Sequence, residues 1–355
     1  MTVVFYTSGH GLGHAARDIE VMHALVAREA DTRIVVRTSA PRWIFERMAP
    51  RSIELQPAIV DTGVVQIDSV TIDEAATVDA AADFYAGFAG RVEEEADVLR
   101  ELRPDVVVGD IPALAFPAAA RAGVPSIALG NFSWDWIYEA YDAFRAAAPH
   151  VIPTIADAYA TATRALRLPL HGGFEPMHAV VTDVPFVARR STRDRTETRR
   201  RLGIPDDRTA VVASFGGYGL ALPVDAIARS PRFTLVDADT ATLDALGVAY
   251  QDVIAAVDVV VSKPGYGIVS ECVANGAALL YTSRGRFIEY DVFVAEMPRV
   301  LRCRFLPPVD LLAGRWDAAI DALLRQPTPP RPSIDGADVV ARILLECRGP
   351  ASRTR

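Results

Sequence analysis

The chain has 355 residues, 50% of them hydrophobic, with a formal net charge of −8 and an isoelectric point near 5.4. That length is long for one domain and comfortable for two, with enough apolar residues for two cores. Its cations are scattered except at Arg199-Arg200-Arg201, so simple electrostatics argue against nucleic acid as a partner.

From the N-terminus, short and mostly β-branched runs at 3–6, 34–36, 106–108 and 126–129 predict strands, and the stretches at 15–28, 78–102 and 114–122 predict helices. Such alternation gives a parallel sheet with helices on both faces, which binds its ligands at the carboxyl ends of the strands. Helical patterns follow at 135–147 and 154–165, then an irregular stretch at 168–182 containing two glycines and two prolines. The charged segment from Asp183-Val184-Pro185 to Arg189-Arg190-Ser191 reads as an interdomain linker. A second series begins with a helix at 193–202, a strand at 210–214, the loop Phe215-Gly216-Gly217-Tyr218-Gly219 and a strand at 233–236. It closes with helices at 316–324 and 336–346, separated by a proline-rich stretch at 326–332. The expected layout is a Rossmann-like domain over 1–183, a second over 184–335, and a terminal helix with a disordered tail over 336–355.

The first predicted strand runs into Thr7-Ser8-Gly9-His10-Gly11-Leu12-Gly13-His14-Ala15-Ala16-Arg17. Three glycines let this loop fold tightly under a ligand. Two of the chain's 6 histidines lie in it. His14, at the expected helix start, reads either as a general base or as a capping and packing residue, and His10 is open to the same two readings. Asp110 ends the run Val106-Val107-Val108-Gly109-Asp110 and should emerge on the same sheet edge, where it can orient an imidazole; an N-cap for the next helix is the competing reading. Asn131-Phe132-Ser133-Trp134-Asp135-Trp136 places two of the four tryptophans after the following strand, as a sugar platform or as core.

Lys263 is the single lysine among the 37 Lys and Arg residues. A compact ammonium on a flexible stem suits a phosphate oxygen. It sits in Ser262-Lys263-Pro264-Gly265-Tyr266-Gly267, after the apolar run Asp258-Val259-Val260-Val261 and before a helical stretch at 268–275 that Gly276 closes. Ala278-Leu279-Leu280-Tyr281 then completes a strand, loop, helix, strand unit. Gly265 and Gly267 permit close approach of a ligand to the backbone, and the helix N-terminus attracts an anion. The loop is neither a Walker loop nor G-x-G-x-x-G. Glu271, about two turns below it, can accept from the vicinal hydroxyls of a ribose, so phosphate and ribose together point to a nucleotide.

The three cysteines, Cys272, Cys303 and Cys347, are far apart and have no nearby histidine, which suggests a reducing compartment and no structural metal. The first residues lack the charged start and apolar core of a signal peptide, and no run of ~18 apolar residues is present, so a cytoplasmic location is expected.

Two Rossmann-like halves, Gly13-His14 after the first strand, and a Gly-rich loop followed by Glu271 resemble the GT-B glycosyltransferases. Similar families are the family-1 UDP-glycosyltransferases and the N-acetylglucosaminyltransferase of peptidoglycan synthesis. More similar still is the glycosyltransferase-like N-terminal half of plant arabinokinases, in Gly9-His10-Gly11, Asn131-Phe132-Ser133-Trp134-Asp135, Lys263 with Gly265-Tyr266-Gly267, and Val269-Ser270-Glu271. The resemblance covers most of the chain and does not extend to the kinase half. It implies that His14 deprotonates the acceptor with Asp110 as its partner, and that His10, Trp134 and Asp135 lie on the acceptor side. It further implies that Gly216, Gly217, Lys263, Gly265, Tyr266, Gly267 and Ser270 serve the donor phosphates, Glu271 the ribose and Tyr250 the base. Glu289 or Asp291 falls near the acid that holds the donor sugar, although the glutamine paired with that acid in the family is missing. Many retaining relatives carry a glutamate eight positions before the ribose acid, where this chain has Lys263. The expectation is therefore inverting, metal-independent transfer from a nucleoside-diphosphate sugar, UDP-linked, to a small-molecule acceptor, with no further cofactor. A nucleotide-sugar binding module, or a hydrolase or epimerase on the same fold, are the alternatives.

Overall fold

The computed structural model describes residues 1–216 and 220–347, so Gly217 and the tail expected beyond residue 347 lie outside the described residues. The first half contains β1 (Thr2–Thr7), β2 (Arg33–Thr38), β3 (Ile53–Pro57), β4 (Val65–Gln66), β5 (Ile72–Asp73), β6 (Val106–Asp110), β7 (Ser126–Gly130), β8 (Arg164–Arg167) and β9 (Val181–Asp183). The second contains β10 (Thr209–Ser214), β11 (Phe233–Val236), β12 (Val259–Ser262), β13 (Ala278–Tyr281) and β14 (Cys303–Phe305). One parallel sheet runs β3-β2-β1-β6-β7-β8-β9 and another runs β11-β10-β12-β13-β14, while β4 and β5 form a short antiparallel pair.

Strands covered by helices on both faces read as continuous apolar runs, and Val3 to Tyr6, Val106 to Val108 and Val259 to Val261 are all fully buried. Each such side chain contributes about 1.5–3 kcal/mol on leaving water. Register then sets the site. Thr7 pairs with Asp110 and Ser214 with Ser262, so neighbouring strands end level and their loops leave along one edge. In each sheet the strand order reverses at this point, between β1 and β6 and between β10 and β12, which opens a crevice for a ligand.

Several helical expectations are corrected. The stretch at 78–102 is two helices, Glu74–Ala86 and Phe88–Leu102, parted at Gly87, a residue that carries the highest helix cost after proline. The stretch at 135–147 also divides, into Trp134–Glu139 and Asp142–Ala147. The helix expected at 154–165 ends at Tyr159, and the residues after it form β8 because pairing with β7 outweighs local propensity. The stretch at 168–182 holds a 3₁₀ turn over Glu175–Val180 and the start of β9.

Helix Gly13–Arg28 buries Ile19, Met22 and Leu25 along one stripe. The terminal helix Gly336–Glu346 returns from the second half and packs Val340, Ala341 and Leu344 into the same core. The chain thus crosses between the halves twice, and the crossings are bonded backbone to backbone. Phe186 N donates to Ser333 O at 3.3 Å, and Gly336 N donates to Phe186 O at 3.0 Å. A Cβ on Gly336 would lie 2.2 Å from Pro185 O, so this approach requires glycine. No helix of the described residues is long and apolar enough to cross a membrane.

Candidate active site

A cavity of about 430 Å³ lies between the carboxyl ends of the two sheets. The His10 and His14 loop, Asn131 and Phe132 wall it from the first half; Phe215, Gly216, Lys263, Gly265, Tyr266, Gly267, Arg284, Phe287 and Glu289 wall it from the second. Helices Gly13–Arg28 and Tyr266–Asn275 both begin here, and a Cβ on Gly267 would lie 3.7 Å from the Cα of Gly13. Two sets of unpaired N-terminal N–H groups therefore converge on one place, each at the positive end of its dipole.

On the first side, His14 Nδ1 lies 2.8 Å from Asp110 Oδ1. The Asp110 carboxylate is fully buried, and Arg17 donates to both of its oxygens through Nε and Nη2. Arg17 Nη1 reaches Asn131 Oδ1 at 2.9 Å, and the guanidinium lies over the Tyr266 ring at 5.1 Å. Burial pushes the Asp110 carboxyl up, but the charges of Arg17 and His14 override it and hold the group at about 2. An ionised Asp110 favours the tautomer in which Nδ1 donates to it, which leaves the lone pair of His14 on Nε2. Arg17 Nη2 also stands 3.0 Å from the same Nδ1, so the guanidinium and the imidazole share one carboxylate. Asp110 is thus the partner of His14, and the capping alternative falls away: the following helix, Ala115–Ala122, is preceded by Leu114.

On the second side, Lys263 follows β12 and Arg284 follows β13. Burial and then the Arg284 charge lower the Lys263 ammonium to about 8. Glu289 is buried; its Oε2 accepts from Arg284 Nη1 at 2.7 Å and its Oε1 from Asn131 Nδ2 at 2.6 Å, across the cleft. A chain of contacts therefore runs from His14 and Asp110 through Arg17 and Asn131 to Glu289 and Arg284.

A second cavity of about 720 Å³ adjoins the first and is lined by Trp43, Leu243, Tyr250, Gln251, Arg189 and Glu271 among others. Arg189, from the segment after β9, donates to Glu271 Oε1 at 2.6 Å through Nε and stacks 5.5 Å above the Tyr250 ring. Burial raises the Glu271 carboxyl and Arg189 opposes the rise. The carboxylate expected to meet a ribose thus already carries a protein partner.

Of the other expected residues, His10 lines the first cavity, with its ring 5.4 Å from Trp134 and stacked 6.4 Å from Phe287. Trp134 does not reach the cavity wall: it is fully buried, and its Nε1 donates to Asp61 Oδ2 at 3.0 Å. Asp135 is likewise buried and away from both cavities. Of the two candidate sugar acids, Glu289 opens helix Glu289–Glu296 and faces the cleft, and Asp291, two residues on in the same helix, is exposed. Ser270 is turned into its own helix, where its hydroxyl donates to Gly267 O at 3.0 Å.

Sequence reasoning gave no role to Arg17, Asn131, Arg189 or Arg284. Arg17 carried a usable signal, because it stands three residues after His14 and so shares its helix face. Arg284 carried a weaker one, its place just beyond an apolar strand.

No family model matches the chain. It is 32% identical over 372 aligned positions to the L-arabinokinase of Arabidopsis thaliana, an alignment covering 98% of this chain and 34% of that protein. The chain thus spans about a third of the curated relative it matches. Among solved structures it is similar to the glycosyltransferase of kitacinnamycin, with a TM-score of 0.60 at 18% identity over 98% of this chain and 99% of that one. CalG4, the calicheamicin glycosyltransferase, gives 0.59 at 15% identity over 99% and 96%. Medicago truncatula UGT71G1, solved with UDP-glucose, gives 0.61 at 11% identity over 98% of each chain. With parallel sheets meeting at a common cleft and matches across nearly the whole length of these enzymes, the chain has the GT-B fold of glycosyltransferases.

Proposed function

We propose that the protein is an inverting glycosyltransferase that moves a sugar from a nucleoside-diphosphate donor, UDP-linked, to the hydroxyl of a small acceptor, without a metal. The observation that carries this reading is the pairing across one cavity of a His14–Asp110 dyad with a lone lysine at a helix N-terminus. In the proposed reaction His14 Nε2 takes the acceptor's hydroxyl proton as that oxygen bonds to the anomeric carbon. The bond from that carbon to the diphosphate oxygen breaks, and its electron pair leaves with the nucleoside diphosphate. Lys263 and the N–H groups that open helix Tyr266–Asn275 receive the negative charge. Glu289 supports the sugar hydroxyls, Glu271 the ribose, and the second cavity the base. The match to UGT71G1 solved with UDP-glucose supports the choice of UDP as the first ligand to test. Arg17 favours a second reading, a nucleotide-sugar binding module, because it claims both oxygens of the carboxylate that would stabilise a protonated His14.

Calorimetry with UDP tests the donor site. Wild type should bind, and Lys263→Ala and Glu271→Ala should each weaken binding by about 10- to 100-fold, the worth of a charged hydrogen bond. Unchanged affinity in both would remove the nucleotide assignment. Release of UDP from the UDP-sugar in the presence of acceptor and excess EDTA separates transferase from binding module.

A further inference from the structure

We propose that Arg284 is a ligand of the donor diphosphate, gripping the phosphate that carries the sugar with its Nε–Nη2 edge while Lys263 holds the opposite side. This deepens the donor reading above and rests on it. Three observations place the guanidinium there. Its Nη1 lies 3.4 Å from Pro264 O, and a Cβ on Gly265 would sit 3.7 Å from the same atom, so the group stands directly over the loop between β12 and its helix. Its orientation is fixed from two directions, by Glu289 at 2.7 Å and by the Phe287 ring 4.1 Å beneath it. Its Nε is buried without a hydrogen-bond partner, and among the described residues neither Nε nor Nη2 meets an acceptor.

A buried Nε without an acceptor is costly, and the Nε–Nη2 pair of a guanidinium matches two oxygens of one phosphate. Charge count points the same way. Arg17 and Asp110 cancel, and so do Arg284 and Glu289, which leaves Lys263 and the two helix N-termini facing the cavity. Burial and the charges of His14, Arg284 and Lys263 push His10 down, so it adds none. A diphosphate brings two negative charges and satisfies this excess. An acidic sugar would add a third beside Glu289, so the donor class is one with an uncharged sugar.

The test is calorimetry of UDP and UMP against wild type, Arg284→Gln, Arg284→Lys and Glu289→Gln. Arg284→Gln should weaken UDP by about 10- to 100-fold and UMP by less than about threefold, because UMP lacks the outer phosphate. Arg284→Lys, which keeps the charge and loses the fork, should recover part of the loss. Glu289→Gln should raise UDP affinity by removing a carboxylate beside the phosphate. Equal losses for UDP and UMP would overturn the proposal. So would a loss in Glu289→Gln matching that in Arg284→Gln, since Arg284 would then serve only to position Glu289. Absence of UDP binding by wild type would remove the underlying donor reading, and the proposal with it.

Discussion

The two walls of the cleft are built alike and finished differently. Each sets its polar residues on loops at the carboxyl ends of parallel strands, beside a helix N-terminus. On the first wall, Asp110, Arg17, His14 and Asn131 satisfy one another. On the second, Lys263 is drawn down toward neutrality by burial and by the charge of Arg284, and among the described residues the Arg284 edge lacks acceptors. A wall closed on itself can hold a reacting group in fixed geometry before substrate arrives, which lowers the reorganisation that catalysis requires. A wall left electrostatically open stores repulsion that an anion relieves on binding. The contrast is the one that the proposed function calls for, a preorganised chemical side facing an anion-binding side.

The sharpest way to break this contrast is His14→Ala. Turnover of a UDP-sugar should fall by about 10²- to 10⁴-fold, with UDP affinity by calorimetry nearly intact. Loss of UDP binding instead would make the histidine structural and erase the division of labour. Stability comes next. Arg17→Met leaves the Asp110 carboxylate buried without its main partner and should cost about 3–5 kcal/mol in denaturant unfolding. Lys263→Met removes a poorly tolerated charge and should be neutral or stabilising in the free protein. Equal destabilisation by the two would show the walls to be energetically alike.

The smallest effect is on pH. With the Lys263 ammonium at about 8 in the free protein, UDP affinity should fall as pH rises through that value, by at most about tenfold per unit, while Lys263→Arg gives a flatter profile. The folded-state value lies below the ordinary 10.5, so between about 8 and 10.5 the unfolded chain binds more protons at this site. Wild-type stability relative to Lys263→Met should therefore rise with pH across that window. A flat difference would place the ammonium in open solvent.

What was legible in the sequence was local. Strand ends, the glycines after them and the unusual residues in those loops announced His14 and Lys263, because each motif fits within about a dozen residues. Asp110 was found because a parallel sheet brings its strand ends to one edge. Arg17 was not given its role, since its partners arrive from 93 and 114 positions away and no local pattern records them. Trp134 misled for the same reason: a tryptophan after a strand looks the same on a wall or in a core until Asp61 meets its indole. The strands β8 and β14 were missed because short segments with arginines show little periodicity, and their neighbours in the sheet decide them.

The paired crossings at Phe186, Ser333 and Gly336 have a mechanical consequence. A single covalent connection between two bodies behaves as a swivel, free to bend and to twist. Two connections bonded side by side behave as a ribbon, which bends across its flat face and resists torsion. Twist of one half against the other is therefore opposed at this point, which keeps Lys263 and Arg284 aligned with His14. The terminal helix seated against helix Gly13–Arg28 anchors that ribbon to the element that carries His14. Gly336 is the point where its two plies touch, so a single added methyl group there would pry the plies apart and let the two walls turn out of alignment.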